Sequence, residues 1–170
     1  MAPAHSLHLY TIGHSTRSLE ELLHLLGENG VSCLVDVRTV PRSRRNPQFN
    51  LEALEHALPA AGIGYVHLAA LGGLRRGLGE RSPNTGWRND SFRGFADYMM
   101  TAQFQKGLEG LLGLAAQETV AIMCAEAVPW RCHRSLIADA LTVRGVRVTH
   151  ILGQGRTQPH RLTPFAQVKG

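Results

Sequence analysis

The chain has 170 residues, 44% of them apolar, and a formal charge of +5 in which Lys106 and Lys169 are the only lysines. That length suits one domain with a core of its own, independent of disulfide or metal support. No stretch of about 18 apolar residues occurs, and "MAPAHSLHLY" lacks the basic-then-apolar order of an export signal, so neither membrane insertion nor export is expected and the cytoplasm is the expected location.

The first apolar run is "LHLYTIG" (7–13), rich in β-branched and aromatic residues, and it reads as a strand. "SLEELLHLLGENG" follows with leucines at Leu19, Leu22, Leu23 and Leu26, a capping box from Ser18 to Glu21 and a stop at Gly30, which predicts a helix. "CLVDVR" (33–38) is the second strand, "NLEALEHALPAAG" a shorter helix capped by Asn50, and "GYVHLA" (64–69) the third strand. "SFRGFADYMM" and "FQKGLEGLLGLAAQ" form one broken helix or two in succession. "TVAIMCAE" (119–126), the helix "RCHRSLIADALTVRG" and "RVTHIL" (147–152) complete the pattern, with Leu136, Ile137, Ala140 and Leu141 facing inward and Gly145 ending the last helix.

Strands alternating with helices predict a single α/β domain over 1–153. Its architecture is a mostly parallel sheet of about five strands with helices on both faces, a Rossmann-like three-layer arrangement, because parallel neighbours need crossover connections. Two segments resist packing: a Gly/Arg-rich loop at 71–90, long enough to be a binding loop or cover, and a C-terminal tail at 154–170.

Ligands of open parallel sheets bind beyond the carboxyl ends of the strands. The first strand delivers Gly13, His14 and Ser15 there, the second Asp36 and Arg38, and the third leads through His67 to Gly72, Gly73 and Arg75. The fourth delivers Cys124 and Glu126, and the following helix opens with Arg131, Cys132, His133 and Arg134. A helix start offers backbone N–H groups and positive dipole charge, to which Arg131 and Arg134 add formal charge, so an anion site is expected. The same surroundings favour thiolate, making Cys124 or Cys132 a candidate nucleophile, with His14 or His133 as proton carrier and Asp36 or Glu126 to orient it. Equally open is core packing: Cys132 and His133 lie four residues before Leu136 and Ile137, Cys124 ends an apolar strand, His14 would help cap the first helix, and Asp36 would pair with a rim arginine. Packing is the expectation for Cys33, His67 and His150. The three cysteines are expected to be free thiols. No metal is expected, because Cys124, Cys132 and His133 with His14 or Asp36 match no self-contained zinc spacing, and no cofactor is expected either.

"DVRTVPRSRRNPQFN" places Arg38, Arg42, Arg44 and Arg45 within eight residues, framed by prolines that keep it from helix. With Arg75, Arg76, Arg81, Arg88 and Arg93, and with Trp87 and Phe92 nearby, it forms a basic surface compatible with a nucleotide or single-stranded nucleic acid. The function expected from the residues is therefore binding of a phosphorylated ligand, with hydrolysis or group transfer by the Cys/His/acid set. A non-catalytic nucleic-acid-binding module and a thiol redox protein are the alternatives.

"YTIGHS", "LVDVRTVPRSRRNPQFN", "LGGLR", "FADYM", "IMCAEAVPWRCHRSLIADAL" and "GVRVTHI" closely resemble the bacterial family called domain of unknown function 488, from about Tyr10 to Ile151. The resemblance implies a small cytoplasmic α/β domain whose motif positions are here Gly13, His14, Ser15, Asp36, Arg38, Pro41, Cys124, Glu126, Cys132, His133 and Arg134. It implies no reaction.

Overall fold

In the computed structural model, which describes residues 7–42, 44–72, 95–127 and 133–161, the five predicted strands all form. They are β1 (His8–Gly13), β2 (Cys33–Asp36), β3 (Gly64–His67), β4 (Val120–Cys124) and β5 (Arg147–Gly153), paired in parallel. A sixth strand, β6 (Arg156–Pro159), turns back antiparallel on β5 and completes the order β3-β2-β4-β1-β5-β6. β6 lies in the stretch expected to be tail. Its four residues are all exposed and polar or proline, so it carries no apolar alternation by which to be read.

The helices are α1 (Leu19–Glu28), α2 (Leu51–Ala60), α3 (Ala102–Ala115) and α4 (Arg134–Val143). Ser18 caps α1 by accepting from the Glu21 N–H at 3.0 Å, but the Glu21 carboxylate pairs with Arg17 at 2.8 Å, so the expected capping box has its first half and spends the second elsewhere. Asn50 stands at the start of α2 without a side-chain capping bond. Residues 95–98 are helical and Thr101 then caps α3, so the doubtful pair resolves as two consecutive helices.

Leucines 22, 25 and 26 of α1 and 54 and 58 of α2 pack on one face of the sheet with Ile12, Leu34 and Met123. Phe104, Leu108 and Leu111 of α3 and Leu136, Ile137 and Leu141 of α4 pack on the other with Leu9, Val35 and Ile122. β2 and β4 are buried on both faces, which is why they read as unbroken apolar runs. The α1 crossover carries the chain from β1 past β4 to β2, while α4 carries it from β4 past β1 to β5 on the opposite face. At the carboxyl ends of these neighbours the chain therefore leaves in opposite directions, the arrangement that opens a crevice in such sheets.

Candidate functional site

The loops after β1 and β4 lie against each other. The N–H of His14 donates to the Cys124 carbonyl and that of Ser15 to the Ala125 carbonyl, both at 2.9 Å, and Ser15 takes φ 48° to follow this path. A β-carbon on Gly13 would fall 1.5 Å from the Glu126 carbonyl oxygen, so only glycine permits the approach. Gly72 is bound by a similar contact, its β-carbon position lying 2.7 Å from the Thr39 α-carbon.

Asp36, at the end of β2, is fully buried and accepts four bonds. Arg38 supplies its backbone N–H at 3.1 Å and Nε at 2.8 Å to Oδ1 and Nη2 at 2.6 Å to Oδ2, and the Tyr65 hydroxyl donates to Oδ2 at 2.6 Å. Burial and the bond to Asp36 push the Tyr65 hydroxyl well above its ordinary range, so it stays a donor. Arg38 Nη2 also reaches the Phe49 carbonyl at 2.6 Å, and His67 Nε2 donates to the Arg38 carbonyl at 2.6 Å. The His14 ring stacks on Phe49 with centroids 4.6 Å apart, donates from Nδ1 to the Ser15 carbonyl at 2.9 Å, and turns Nε2 toward Arg38 Nη1 at a long 3.4 Å. Burial holds this imidazole below its usual range and the Arg38 charge pushes the same way, which keeps Nε2 unprotonated at neutral pH.

Together these contacts clamp the basic loop at both ends. Leu51 N–H donates to the Pro41 carbonyl at 2.9 Å and Gln48 Nε2 to the Arg17 carbonyl at 2.8 Å. Arg42 is exposed and paired with Glu52 at 2.7 Å. Arg44 and Arg45 are exposed and form no ion pair with a described residue.

The remaining candidates gather on the other side of the sheet. Cys124 is 2% exposed and belongs to the core between the sheet and α4, because strand alternation turns it to the face opposite Asp36, whose register partner is Met123. It is disulfide-bonded, which corrects the expectation that all three cysteines are free thiols; Cys33 is the free, buried one, its thiol pushed up by burial. The Cys124 sulfur lies 3.7 Å from the Glu126 carbonyl and, being bridged, has no proton to donate, so this is a contact. Glu126 is exposed.

His133 occupies the cap position of α4, donates from Nε2 to the Val37 carbonyl at 2.8 Å and meets the Phe95 ring edge-on. Arg134 is completely buried, with Nη2 donating to the Ala127 carbonyl at 3.0 Å. Burial, helped by the neighbouring Arg17 charge and opposed by Glu126, lowers its pKa to about 10. Gly73, Arg75, Arg131 and Cys132 lie outside the described residues, as do Arg76, Arg81, Trp87, Arg88, Phe92 and Arg93.

The described candidates thus fall into two clusters: His14, Asp36 and Arg38 on the α1/α2 side, and Cys124, His133 and Arg134 on the α3/α4 side. Sequence reading missed Tyr65, Phe49 and Arg17. Tyr65 shares a strand face with His67, two residues on, and that spacing was the available signal. Arg17 secures the β1 loop through Nε to the Gly13 carbonyl at 3.2 Å and Nη2 to the Leu152 carbonyl at 3.0 Å.

The sequence model of the family described as domain of unknown function DUF488 matches residues 18–141, most of the chain and every element from α1 to most of α4. The chain belongs to the DUF488 family. Comparison with curated proteins and with solved structures gives no significant match. In this DUF488 domain the matched span carries both clusters except for the β1 loop, since Gly13, His14 and Ser15 precede it. No described helix is long and apolar enough to cross a membrane.

Proposed function

We propose that this DUF488 domain binds a phosphorylated ligand, a nucleotide or a nucleic-acid end, on the basic loop that follows β2. The observation that carries this reading is the pair Arg44 and Arg45: both are exposed, neither forms an ion pair with a described residue, and their loop is pinned to the sheet edge by Arg38, Phe49 and Gln48. Guanidinium groups on an anchored backbone engage phosphate with less ordering cost than the same groups on a mobile one. In this reading Asp36 and Arg38 position the loop, Arg42 exchanges Glu52 for phosphate, and Arg44 and Arg45 make the contacts.

The test is titration of inorganic phosphate and of a short 5′-phosphorylated oligonucleotide at two salt concentrations. Arg44→Ala with Arg45→Ala should weaken oligonucleotide binding about tenfold or more and flatten its logarithmic salt dependence by roughly 1.5, as expected for two lost phosphate contacts. Arg42→Ala should weaken it less. Equal affinity and equal salt dependence in the double variant would remove the reading.

A second reading, thiol redox chemistry, is favoured by the disulfide at Cys124 in a chain whose Cys33 is free. It requires Cys132, the remaining cysteine of the sequence, as partner. An external thiolate would attack the bridge, form a mixed disulfide and release one cysteine as thiolate; a second thiol would complete the two-electron reduction. Alkylation without reductant should then spare Cys124 and, after reduction, modify it. Labelling of Cys124 in the unreduced protein would end this reading.

A further inference from the structure

Between β1, β5, α4 and the residue after β6, the interior holds a chain of polar side chains, separate from the His14, Asp36 and Arg38 cluster and bordered by Arg134 of the other. Thr11 Oγ1 stands 2.5 Å from His150 Nδ1, His150 Nε2 stands 2.8 Å from His160 Nδ1, and His160 Nε2 stands 2.7 Å from Asp139 Oδ1. Thr11, His150 and Asp139 are buried, and the His160 side chain is 5% exposed.

Donor and acceptor chemistry fixes the direction of this chain. The Asp139 carboxylate only accepts, so His160 carries a proton on Nε2. In a neutral ring its Nδ1 then accepts, which requires a proton on His150 Nε2, and His150 Nδ1 in turn accepts from the Thr11 hydroxyl. Each member is matched. One added proton, on His160 Nδ1, reverses the first two bonds: His160 donates to His150 Nε2, the His150 proton sits on Nδ1, and the Thr11 oxygen accepts. A second proton has no place, because two imidazolium rings would face each other across a 2.8 Å contact in a buried setting.

Among the described residues, α4 brings the Asp139 carboxylate and the Arg134 guanidinium against the pair, and β1 brings the Thr11 hydroxyl. Burial, His160 and Arg134 together hold the His150 pKa at about 3.

This chain also fastens a strand. Residues 154–159 are all exposed, so β6 sends no side chain into the core. It is held by its ladder with β5, by an exposed bond from Gly155 N–H to Glu28, and by His160, whose N–H donates to the Val148 carbonyl at 2.8 Å and whose ring enters the polar chain.

We propose that Thr11, His150, His160 and Asp139 form a proton-sensitive latch that docks β6 on the sheet at neutral pH and releases it in acid. When β6 lifts, both rings meet water, where an imidazole takes its proton near pH ~6.5. The lifted pair binds two protons below that pH and the docked pair at most one. Docking is therefore at full strength above pH ~6.5 and weakens as pH falls, by up to about tenfold per pH unit for one proton taken up.

Hydrogen exchange on the full chain, corrected for intrinsic rates, tests this between about pH 7.5 and 5. Protection of the β6 and His160 amides should fall by up to about tenfold per unit below pH ~6.5 while α1 amides keep theirs, and His150→Gln, which removes one of the two protons, should flatten the dependence. A second readout needs no variant: imidazole nitrogen shifts at about pH 7.5 should show the Nε2–H tautomer on both rings. Protection independent of pH, or an Nδ1–H tautomer on either ring at neutral pH, would overturn the latch.

Discussion

Gly13 decides how closely the β1 and β4 loops approach, and the atom it makes room for is a backbone carbonyl that cannot swing aside. Gly13→Ala should therefore destabilise the protein by about 3 kcal/mol or more, the upper range for overpacking, read as a shift in urea midpoint. At Asp36 the expectation is different in kind. Asp36→Asn removes the negative half of a buried pair and leaves Arg38 charged and enclosed, a loss of about 3–5 kcal/mol, whereas Tyr65→Phe deletes one of four donors to the carboxylate and should cost about 1–3 kcal/mol. Similar losses from both would mean that the ion pair carries little of the site's stability. "DVR" was legible as a charged pair at a strand end, but a carboxylate and a guanidinium two residues apart on one strand face read the same whether they meet a ligand or each other. Cys124 and Asp36 were legible as neighbours at one rim. That they face opposite sides of the sheet depends on the Asp36–Met123 register, which comes from pairing between distant segments and leaves no local mark.

Among the elements, those with their own caps and apolar spacing were readable from the chain, and those held by contacts from elsewhere were not. α1 and α3 start at Ser18 and Thr101, whose hydroxyls accept from Glu21 and Phe104 N–H at 3.0 and 3.2 Å. Replacing either with alanine should cost about 1 kcal/mol, measured as a denaturation midpoint; no change would mean that the tertiary packing alone fixes the helix start. α4 was legible as a helix from its apolar spacing, but the place of Arg134 was not: it is enclosed in the first turn, and the motif that marked it for an anion also suits an interior role. β6 was invisible because its docking rests on His160, a histidine outside every motif.

For the whole molecule, pH acts through imidazoles that folding shields. His8, His14 and His150 are all shifted downward, chiefly by burial, and His150 to about 3. An unfolded histidine takes its proton near pH ~6.5 and these folded ones later, so the unfolded state binds more protons as pH falls and stability drops with it. Global stability should be level above pH ~7 and decline below ~6.5, with His150 alone contributing up to about 1.4 kcal/mol per pH unit down toward pH 3. Urea midpoints across that range check the direction; a stability that rises on acidification would contradict the neutral state of the buried His14 and His150 rings.

The place of β1 in the strand order bears on how the chain is made. Its partners arrive late: Tyr10 lies beside Ala121 and His8 beside Arg147, while β2 meets β3 within some thirty residues, Cys33 beside Gly64. At roughly 5–20 residues per second of synthesis, β1 emerges about six to thirty seconds before the strands that flank it exist. Until then "LHLYTIG" has no edge to join, and the centre of the sheet cannot close on a nascent chain that stops short of β5. Ribosome-bound chains ending before β4 should be protease-sensitive along β1, and protection should appear only after β5 has cleared the exit tunnel.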